Sequence, residues 1–443
     1  MEYPGAKFTR PLRRAMLIVF IIAFFTISPI VIMYTTGYRY DWQNGLLRET
    51  GSVSIDILPK ITSVYLNGLK LKNTMPIRLK NITPQKYTLR LTATGYYDWQ
   101  KEIEVKNKQT TYIKEIQLLK KNKPELLVKG RIENVALSGD GQYLVYITQD
   151  KKSKVWLRDL RAQTVSLIME SPLNDDPEVR WAKNNNHFTL TPSSPPYDYV
   201  VVVPAENPDK KIDLVKINGE AVTKTEWRET SESELYYSTA ASIKSFSPDT
   251  EQELFIVANR YIDWFMENGA LWTLQLTTST QKLKIVRDTL GFSSEVAEIE
   301  TDNADLPTKI ITALHGSILV GDNSTSNVTL VREDKKFSFN GDNATISKYN
   351  NWWLIWTPSE LWTYSDGEDP HLLNRSAEKL KQVVPLDKSN TLALVREEKV
   401  TALFPYYLIE HDLIDERVNS AAANSDNRTL FYATETGLWK LDY

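Results

Sequence analysis

Residues 134–147 read NVALSGDGQYLVYI, in which a polar turn separates two runs rich in alternating apolar residues. The same arrangement recurs at 178–191 as EVRWAKNNNHFTLT. Further copies lie at 243–258, 311–322, 346–357, 381–395 and 418–433. Alternation with a period of two is typical of β-strands, so each copy predicts two antiparallel strands joined by a short turn.

The segments that follow the copies extend each pair of strands into a larger sheet. A third apolar run, often centred on Trp, follows several copies, as in KVWLRDL at 154–160 and GLWKLDY at 437–443. The turns are about 35 to 65 residues apart, which brackets the length of about 40–45 residues typical of a propeller blade. Seven copies therefore predict a seven-bladed β-propeller over residues 120–443, with an irregular pair of β-sandwiches as the alternative.

The two ends of this region fit a closed ring. Only one further strand follows the last copy, so the last blade would lack a strand. The segment PELLVK at 124–129 can supply it, and closure of this kind removes exposed sheet edges. The turns SGDG at 138–141 and SPD at 247–249 give the region a resemblance to TolB-like and WD40-like propellers, whose turn reads Ser-Pro-Asp-Gly.

Residues 15–34 are an uncharged stretch, AMLIVFIIAFFTISPIVIMY. A helix of this length spans about 30 Å, the thickness of a hydrocarbon core. Because basic residues precede it, the positive-inside rule predicts a cytoplasmic tail over 1–14, a transmembrane helix over 15–35 and a juxtamembrane linker over 36–50, with everything beyond exported. A cleaved signal peptide and a buried core helix are the alternatives. The length of the run disfavours the first, and the absence of a polar face disfavours the second.

Residues 51–119 contain short alternating strands separated by Pro, Gly and Asn. In KYTLRLT at 86–92 the apolar residues share one face. Asn67 and Gly68 predict a two-residue hairpin turn, because both positions tolerate positive φ. The order of features, with VYLNG at 64–68, Pro76, Pro84 and Gly95-Tyr96, resembles the PEGA domain, although PKIT at 59–62 replaces the tetrapeptide that names that family. The resemblance implies a small β-sandwich, a structural or adhesive module of cell-envelope proteins without catalytic residues.

Composition argues against several classes of function. The formal charge of −3 provides no basic footprint, so we expect no nucleic-acid partner. The absence of cysteine rules out disulfides, thiolate metal sites and a Cys nucleophile. The histidines lack metal-ligand spacing, and no GxSxG, HExxH or GxxxxGK[ST] motif occurs. The four histidines are His187, His315, His371 and His411. We therefore expect no catalytic residue, no metal and no cofactor.

Three groups of residues resemble sites but have simpler explanations. An Asp in a strand-to-strand turn accepts a hydrogen bond from the backbone two residues on. The aspartates in such turns are Asp140, Asp249, Asp387 and Asp426. Asp175 and Asp176 are interpreted as a solvated loop. The tryptophans of 352–356 would divide between the two faces of a buried strand, as core residues do.

One connection departs from the repeat. The segment NRYIDWFMENG at 259–269 is longer than its counterpart in the last copy. We predict an extended hairpin that presents large side chains to a partner, because aromatic residues and Met are enriched at interface cores. The candidate partner-binding residues are Tyr261, Trp264, Phe265 and Met266. The alternative is a segment folded back over a neighbouring blade. The stretch PSSPPY at 192–197 is expected to be a surface loop.

These features predict an all-β ectodomain, a PEGA-like β-sandwich followed by the propeller, on one membrane helix. The expected protein is a non-catalytic extracytoplasmic scaffold or binding module of a prokaryotic cell envelope, anchored in the lipid bilayer through 15–35, with an envelope protein or glycan as ligand. The alternative is a propeller-type hydrolase of envelope glycans or peptides. Three or more unpaired acidic side chains in the central channel would favour the hydrolase.

Overall fold

The chain divides into two compact units, Met1–Lys121 and Asn122–Tyr443, in the computed structural model. The residues that the structure describes are 10–41, 45–71, 74–172, 176–229, 233–277, 282–289, 291–300, 308–314, 316–322, 327–332, 335–340, 343–346, 353–365 and 368–443.

A single long helix, α1 (Arg10–Thr35), begins the described chain. An 18-residue stretch within Pro11–Thr35 has a mean hydropathy of 2.8, and none of that stretch is buried inside the protein. The Thr26 hydroxyl donates to the Ile22 carbonyl at 2.7 Å, so this polar group is satisfied within the helix. By length and composition the helix can cross a membrane.

The segment after the helix is a hairpin, where a linker was predicted over 36–50. Strand β1 (Tyr38–Asp41) pairs antiparallel with β2 (Leu46–Glu49). The Arg39 side chain fixes the hairpin, because its Nε donates to Asn81 Oδ1 at 2.8 Å and its Nη1 donates to the Tyr34 carbonyl at 2.6 Å.

The rest of the first unit consists of two sheets with a buried apolar interior. The strands are β3 (Gly51–Ile55), β4 (Ser63–Leu66), β5 (Leu69–Lys70), β6 (Ile77–Ile82), β7 (Lys86–Thr92), β8 (Trp99–Glu104) and β9 (Thr110–Ile113). The sheet orders are β6-β3-β9 and β5-β4-β7-β8. Along β3, Val53 and Ile55 are buried and alternate with partly exposed serines. Asn67 and Gly68 have φ values of 48° and 80°, which confirms the predicted two-residue turn.

The described residues of the second unit form a ring of eight four-stranded antiparallel sheets, called blades 1 to 8. Blade 1 is β11 (Ile132–Leu137), β12 (Tyr143–Gln149), β13 (Ser153–Asp159) and β14 (Val165–Ser171). Blade 2 is β15 (Glu178–Trp181), β16 (His187–Thr191), β17 (Val201–Pro204) and β18 (Ile212–Asp213). Blade 3 is β19 (Lys224–Trp227), β20 (Leu235–Ser238), β21 (Ser242–Ser247) and β22 (Gln252–Ala258). Blade 4 is β23 (Asp263–Glu267), β24 (Ala270–Leu276), β25 (Lys282–Thr289) and β26 (Phe292–Glu300).

The other four blades continue the same meander. Blade 5 is β27 (Thr308–Leu314), β28 (Ser317–Asp322), β29 (Asn327–Arg332) and β30 (Lys335–Asn340). Blade 6 is β31 (Asn343–Ile346), β32 (Trp353–Trp356), β33 (Glu360–Tyr364) and β34 (His371–Arg375). Blade 7 is β35 (Leu380–Pro385), β36 (Leu392–Arg396), β37 (Val400–Phe404) and β38 (Ile409–Ile414). Blade 8 is β39 (Ser420–Asn424), β40 (Thr429–Ala433), β41 (Gly437–Asp442) and β10 (Glu125–Lys129). A short 3-10 turn (Pro208–Lys210) and helix α2 (Leu214–Asn218) flank β18.

The propeller is confirmed, but the predicted number of seven blades is wrong. The copy at 243–258 supplies the third and fourth strands of blade 3, and 259–269 contains the first strand of blade 4. Blade 3 begins instead at β19, whose sequence KTEW is short and carries charges. A short strand with charges at alternate positions produces little apolar signal, which is why the extra blade was hidden.

Closure of the ring follows the prediction for 124–129. Strand β10 pairs antiparallel with β41, with Glu125 opposite Lys440 and Lys129 opposite Gly437. Blade 8 also joins blade 1, where the Asn419 side-chain amide donates to the Ile132 carbonyl at 2.9 Å. Buried apolar side chains fill the spaces between neighbouring blades, as where Leu319 of blade 5 meets Trp353 of blade 6.

Contact between β10 and β41 depends on a glycine. A Cβ at Gly437 would collide with Leu126 Cδ1 and lie 2.7 Å from the Val128 carbonyl oxygen. We expect Gly437→Val to lower the free energy of unfolding by about 1–3 kcal/mol, because overpacking at this contact displaces β10. Thermal unfolding of the detergent-solubilised chain measures the effect. Glu435→Val is the control, because Glu435 is exposed and its ion pair with Arg131 contributes little. Equal losses in the two variants would contradict the role given to β10.

Candidate functional site

The first strands of blades 2 to 5 line a cavity of about 760 Å³. These strands, β15, β19, β23 and β27, are the ones nearest the centre of the ring, where the first strand of blade 4 contacts the first strand of blade 5. Side chains of one strand alternate between its two faces, so every second residue of a first strand can face the cavity. The charged side chains that line the cavity are Glu178, Arg180, Lys224, Glu226, Asp263 and Lys309.

Arg180 joins blade 2 to blade 3. Its Nε donates to Glu178 Oε1 at 2.9 Å, within the same strand. Its Nη1 lies 3.3 Å from the Thr225 carbonyl oxygen and 3.5 Å from Glu226 Oε1, both in β19. The Trp227 indole returns a hydrogen bond to the Arg180 carbonyl at 3.0 Å. The two first strands are therefore held together by polar contacts on the cavity wall.

Asp263 joins blades 3, 4 and 5. Both of its carboxylate oxygens lie 3.0 Å from Lys224 Nζ, and Oδ2 also accepts the Ile310 backbone N–H at 2.7 Å. The side chains of Lys224 and Asp263 are only 18% and 13% exposed. A charge pair this enclosed is screened little by solvent, so each partner depends on the other for its solvation.

Three carboxylates and the cations Arg180 and Lys224 meet on this wall, and the exposed Lys309 is a third cation on it. Burial raises the pKa of the Glu226 carboxyl, and the nearby Lys224 and Arg180 offset only part of that rise. Burial lowers the pKa of the Arg180 guanidinium, but the Glu226 and Glu178 carboxylates outweigh it and raise the pKa above its ordinary value.

Aromatic rings form another part of the wall. Tyr197, Tyr261 and Trp264 line the cavity, and Lys224 Nζ lies 5.7 Å from the centroid of the Trp264 ring. Two buried polar atoms of lining residues, Trp264 Nε1 and Asn259 Oδ1, have no hydrogen-bond partner among the described residues. Buried polar atoms are usually paired, but neither of these two atoms is itself exposed to the cavity.

The predicted exposed hairpin at 259–269 is wrong. Trp264, Phe265 and Met266 lie in β23 and are 2%, 6% and 8% exposed. Trp264 and Met266 pack against blade 3, whereas Phe265 packs against blade 5. Only Tyr261 remains partly exposed, on the cavity wall. The residues form a strand because their alternation fills the apolar space on both sides of a blade.

Other sequence candidates have structural roles. Asp140 Oδ1 accepts the Gln142 backbone N–H at 3.1 Å, and Asp387 Oδ1 accepts that of Ser389 at 2.9 Å, as turn aspartates do. At Asp426 the bond runs instead from its own N–H to Asn424 Oδ1. Trp353 and Trp356 are buried against different neighbouring blades, which confirms core packing for both. Trp352, His315 and Asp175 lie outside the described residues.

His187 is buried between Ser233 and the exposed Asp249, in an arrangement that does not suit nucleophilic catalysis. His187 Nδ1 lies 2.8 Å from Ser233 Oγ, and its Nε2 lies 3.8 Å from Asp249 Oδ1. Ser233 is buried and its hydroxyl already accepts the Asn184 amide at 2.7 Å. Burial lowers the pKa of His187. A nucleophile must reach a substrate, and this hydroxyl is enclosed by the turn that it stabilises.

Sequence reasoning missed most of the cavity. The segment 192–197 was expected to be a surface loop, and residues 193–196 are exposed, but Tyr197 is 9% exposed and lines the cavity. A usable signal exists in the strands EVRW and KTEW, where two charges alternate before a Trp. Charges at alternate positions of a strand share one face, and two such strands in neighbouring blades bring four charges together.

The Lys224–Asp263 pair can be tested by a double-mutant cycle. We expect Asp263→Ala to lower the free energy of unfolding by about 3–5 kcal/mol, because Lys224 is left enclosed without a counter-charge. Lys224→Met in the same chain should recover part of that loss. Denaturant unfolding of the wild type, both single variants and the double variant gives the coupling. Additive losses would show that the pair is not coupled.

Glu226 predicts a pH dependence of stability. The folded protein holds the Glu226 proton more tightly than the unfolded chain does, so the stability from this group falls as pH rises above its ordinary pKa. The free energy of unfolding of the wild type, relative to Glu226→Gln, should therefore rise when the pH is lowered from about 7.5 to about 5. Denaturant titrations at several pH values measure this difference. A difference that does not change with pH would contradict the raised pKa.

Comparison with known proteins addresses each unit. Residues 50–120 match the family model of the PEGA domain. No curated protein matches the chain. The C-terminal WD40 domain of Sif2 is a similar solved structure, with 7% identity, a TM-score of 0.47 and coverage of 71% of this chain and 96% of that domain. The Myceliophteria thermophila Cps50 (Swd1) β-propeller domain has 11% identity and a TM-score of 0.47, with coverage of 72% of this chain and 98% of that domain. The Dos1 propeller has 10% identity and a TM-score of 0.48, with coverage of 72% of this chain and 93% of that propeller.

At such low identities these likenesses concern the fold alone, and the propeller itself follows from the ring of paired strands. The sequence resemblance over 51–119 and the family match over 50–120 agree. The chain therefore carries one apolar N-terminal helix, a PEGA domain and a β-propeller.

Proposed function

We propose that this protein is a membrane-anchored, non-catalytic module of the cell envelope that binds a protein segment or glycan outside the cytoplasm. The observation that carries the proposal is the cavity lined by the first strands of blades 2 to 5, with its paired charges and aromatic rings. A volume of about 760 Å³ falls within the range of about 300–1,000 Å³ typical of ligand pockets.

The chemistry of the wall suits a polar ligand. The charges of Arg180, Lys224 and Asp263 are already paired, so a ligand need not supply a strong counter-charge. Hydroxyl and amide groups can bond to the remaining lone pairs and N–H groups, and Tyr197 and Tyr261 offer apolar faces. This combination favours sugars or a short stretch of peptide over an apolar molecule.

The helix α1 supports anchoring. It is long and apolar enough to cross a bilayer, and its side chains have no protein core to enter. Arg10, Arg13 and Arg14 lie at its start, which favours a cytoplasmic N-terminus and an exported propeller.

Hydrolysis of envelope glycans or peptides is a second candidate, favoured by one observation. Glu226 combines a raised pKa with a place on a cavity wall that also holds Glu178 and Asp263. A carboxyl with a raised pKa next to a carboxylate is the arrangement that glycoside hydrolysis uses. Against it, each of the three carboxylates has a cationic partner, whereas unpaired carboxylates were the criterion for an enzyme.

Photo-crosslinking in intact cells tests the proposal. A photoreactive amino acid at Tyr261, on the cavity wall, should capture a specific envelope component that mass spectrometry identifies. The same amino acid at Phe292, which is 82% exposed on the outer strand of blade 4, is the control and should not capture it. Lys309→Glu, which reverses an exposed charge on the wall, should reduce capture, whereas Lys335→Glu elsewhere on blade 5 should not.

The outcomes separate the two candidates. Equal capture at Tyr261 and Phe292 would overturn the cavity as a binding site. Capture that is unchanged in Glu226→Gln supports binding alone. A captured substrate whose cleavage products disappear in Glu226→Gln would establish the hydrolase instead.

A further inference from the structure

The end of helix α1 is fastened directly to the PEGA domain. The Gly37 carbonyl accepts the Thr50 backbone N–H at 2.9 Å, and the Thr50 carbonyl accepts that of Lys108 at 3.0 Å. Arg39 adds a second connection, because it bonds to both Tyr34 and Asn81. A Cβ at Gly51 would lie too close to the Lys106 carbonyl oxygen, so this loop approaches the start of β3 tightly. The domain therefore begins within a few residues of the helix end.

Three parts of the chain form the face of the domain that adjoins the helix: the paired strands β1 and β2, the turn 81–86 and the loop 105–109. Asn81 contacts Arg39, and the Val105 N–H donates to the Gln85 carbonyl at 3.0 Å, which brings the three together. We call this surface the helix-proximal face. Its basic residues are Arg39, Arg48, Lys86, Lys106 and Lys108, and its acidic residues are Asp41, Glu49 and, at its edge, Glu104.

Charge distinguishes the PEGA domain from the rest of the chain. Residues 50–120 contain 12 Lys and Arg against 5 Asp and Glu, a net charge of +7, although the whole chain has −3. Some of this charge is paired, since Lys86 contacts Glu102 at 2.9 Å and Lys108 contacts Glu49 at 2.9 Å. These pairs are exposed, so solvent screens them and they leave the net charge of the face in place.

The helix-proximal face also contains a depression and aromatic rings. The depression, about 310 Å³, is lined by Lys86, Lys106 and Asn107 together with one carboxylate, Glu104. At the helix end the Arg39 guanidinium stacks 3.6 Å from the Tyr34 ring centroid, and Lys108 Nζ lies 4.5 Å from that of Tyr38. Tyrosines next to basic residues at the end of a membrane helix are typical of the bilayer interface.

We propose that the helix-proximal face of the PEGA domain rests on anionic phospholipid headgroups. The inference rests on the membrane anchoring proposed above. When α1 spans the hydrocarbon core, Tyr34 marks its end, and the headgroup layer extends roughly 5–8 Å further. Groups bonded to Tyr34 and Gly37 must then lie in or next to that layer, within the screening length of about 8–10 Å. Excess positive charge at that depth attracts anionic lipid.

Single-cysteine labelling of the full chain in vesicles tests this contact. The chain has no cysteine, so an introduced one is the only thiol. A fluorophore at Gln85→Cys, on the helix-proximal face, should be quenched by headgroup-attached nitroxide lipid in phosphatidylglycerol vesicles. The matched position is Ile61→Cys, which is 76% exposed beyond the other end of β3. The five residues of β3 separate the two ends by roughly 15 Å.

Charge variants and neutral vesicles complete the design. Lys86→Gln and Lys106→Gln should each weaken the contact about fivefold in phosphatidylglycerol vesicles. Lys60→Gln and Lys120→Gln, at the other end of the domain, should not. Equal quenching at 85 and 61, or no change between phosphatidylglycerol and phosphatidylcholine, would overturn the headgroup contact. Failure of the chain to float with phosphatidylcholine vesicles would instead overturn the anchoring itself.

Discussion

Strand β10 brings the start of the second unit to its last strand, and the backbone hydrogen bonds between them hold the ring shut. Each blade buries apolar side chains on both of its faces, and each face needs the next blade to cover it. An open row of blades would leave two such faces in water, together with an unpaired sheet edge. Closure gives every blade two neighbours, and it fixes the first strands around the centre.

The position of the cavity follows from that arrangement. The first strands of blades 2 to 5 carry side chains too long and too polar for the apolar spaces between blades, so these side chains turn to the centre. There Arg180 and Lys224 meet the carboxylates of neighbouring blades. Enclosed charges are costly unless they are paired, and the pairs Arg180–Glu226 and Lys224–Asp263 each join two blades. The polar wall is therefore a property of the ring and of no single blade.

The repeat, the closing strand and the PEGA domain could be predicted because their signals are local. Alternation of apolar residues, a turn with Asn67 and Gly68, and a long uncharged helix each depend on neighbours in the chain. The number of blades was missed because β19 is short and charged and has no such pattern. The cavity was missed because its residues come from four blades. Trp264, Phe265 and Met266 have the composition of an interface, and only the register of β23 shows that they are core.

The two units of the chain have net charges of opposite sign. Residues 1–121 contain 19 Lys and Arg against 8 Asp and Glu, whereas residues 122–443 contain 34 against 48. The acidic unit carries the cavity, and the basic unit carries the helix. An anionic surface would attract the basic unit, residues 1–121, and repel the acidic unit, residues 122–443.

The cavity also has a consequence for the mechanics of the ring. Its wall crosses three junctions, between blades 2 and 3, 3 and 4, and 4 and 5, while the other half of the ring contributes no described residue to it. A ligand that contacts all four blades favours the closed form of each junction at once. By thermodynamic linkage, its binding free energy then adds to the cohesion of this half alone. A ligand bound in the cavity would therefore stiffen the half of the ring formed by blades 2 to 5. The ring would then open first at a junction in the other half.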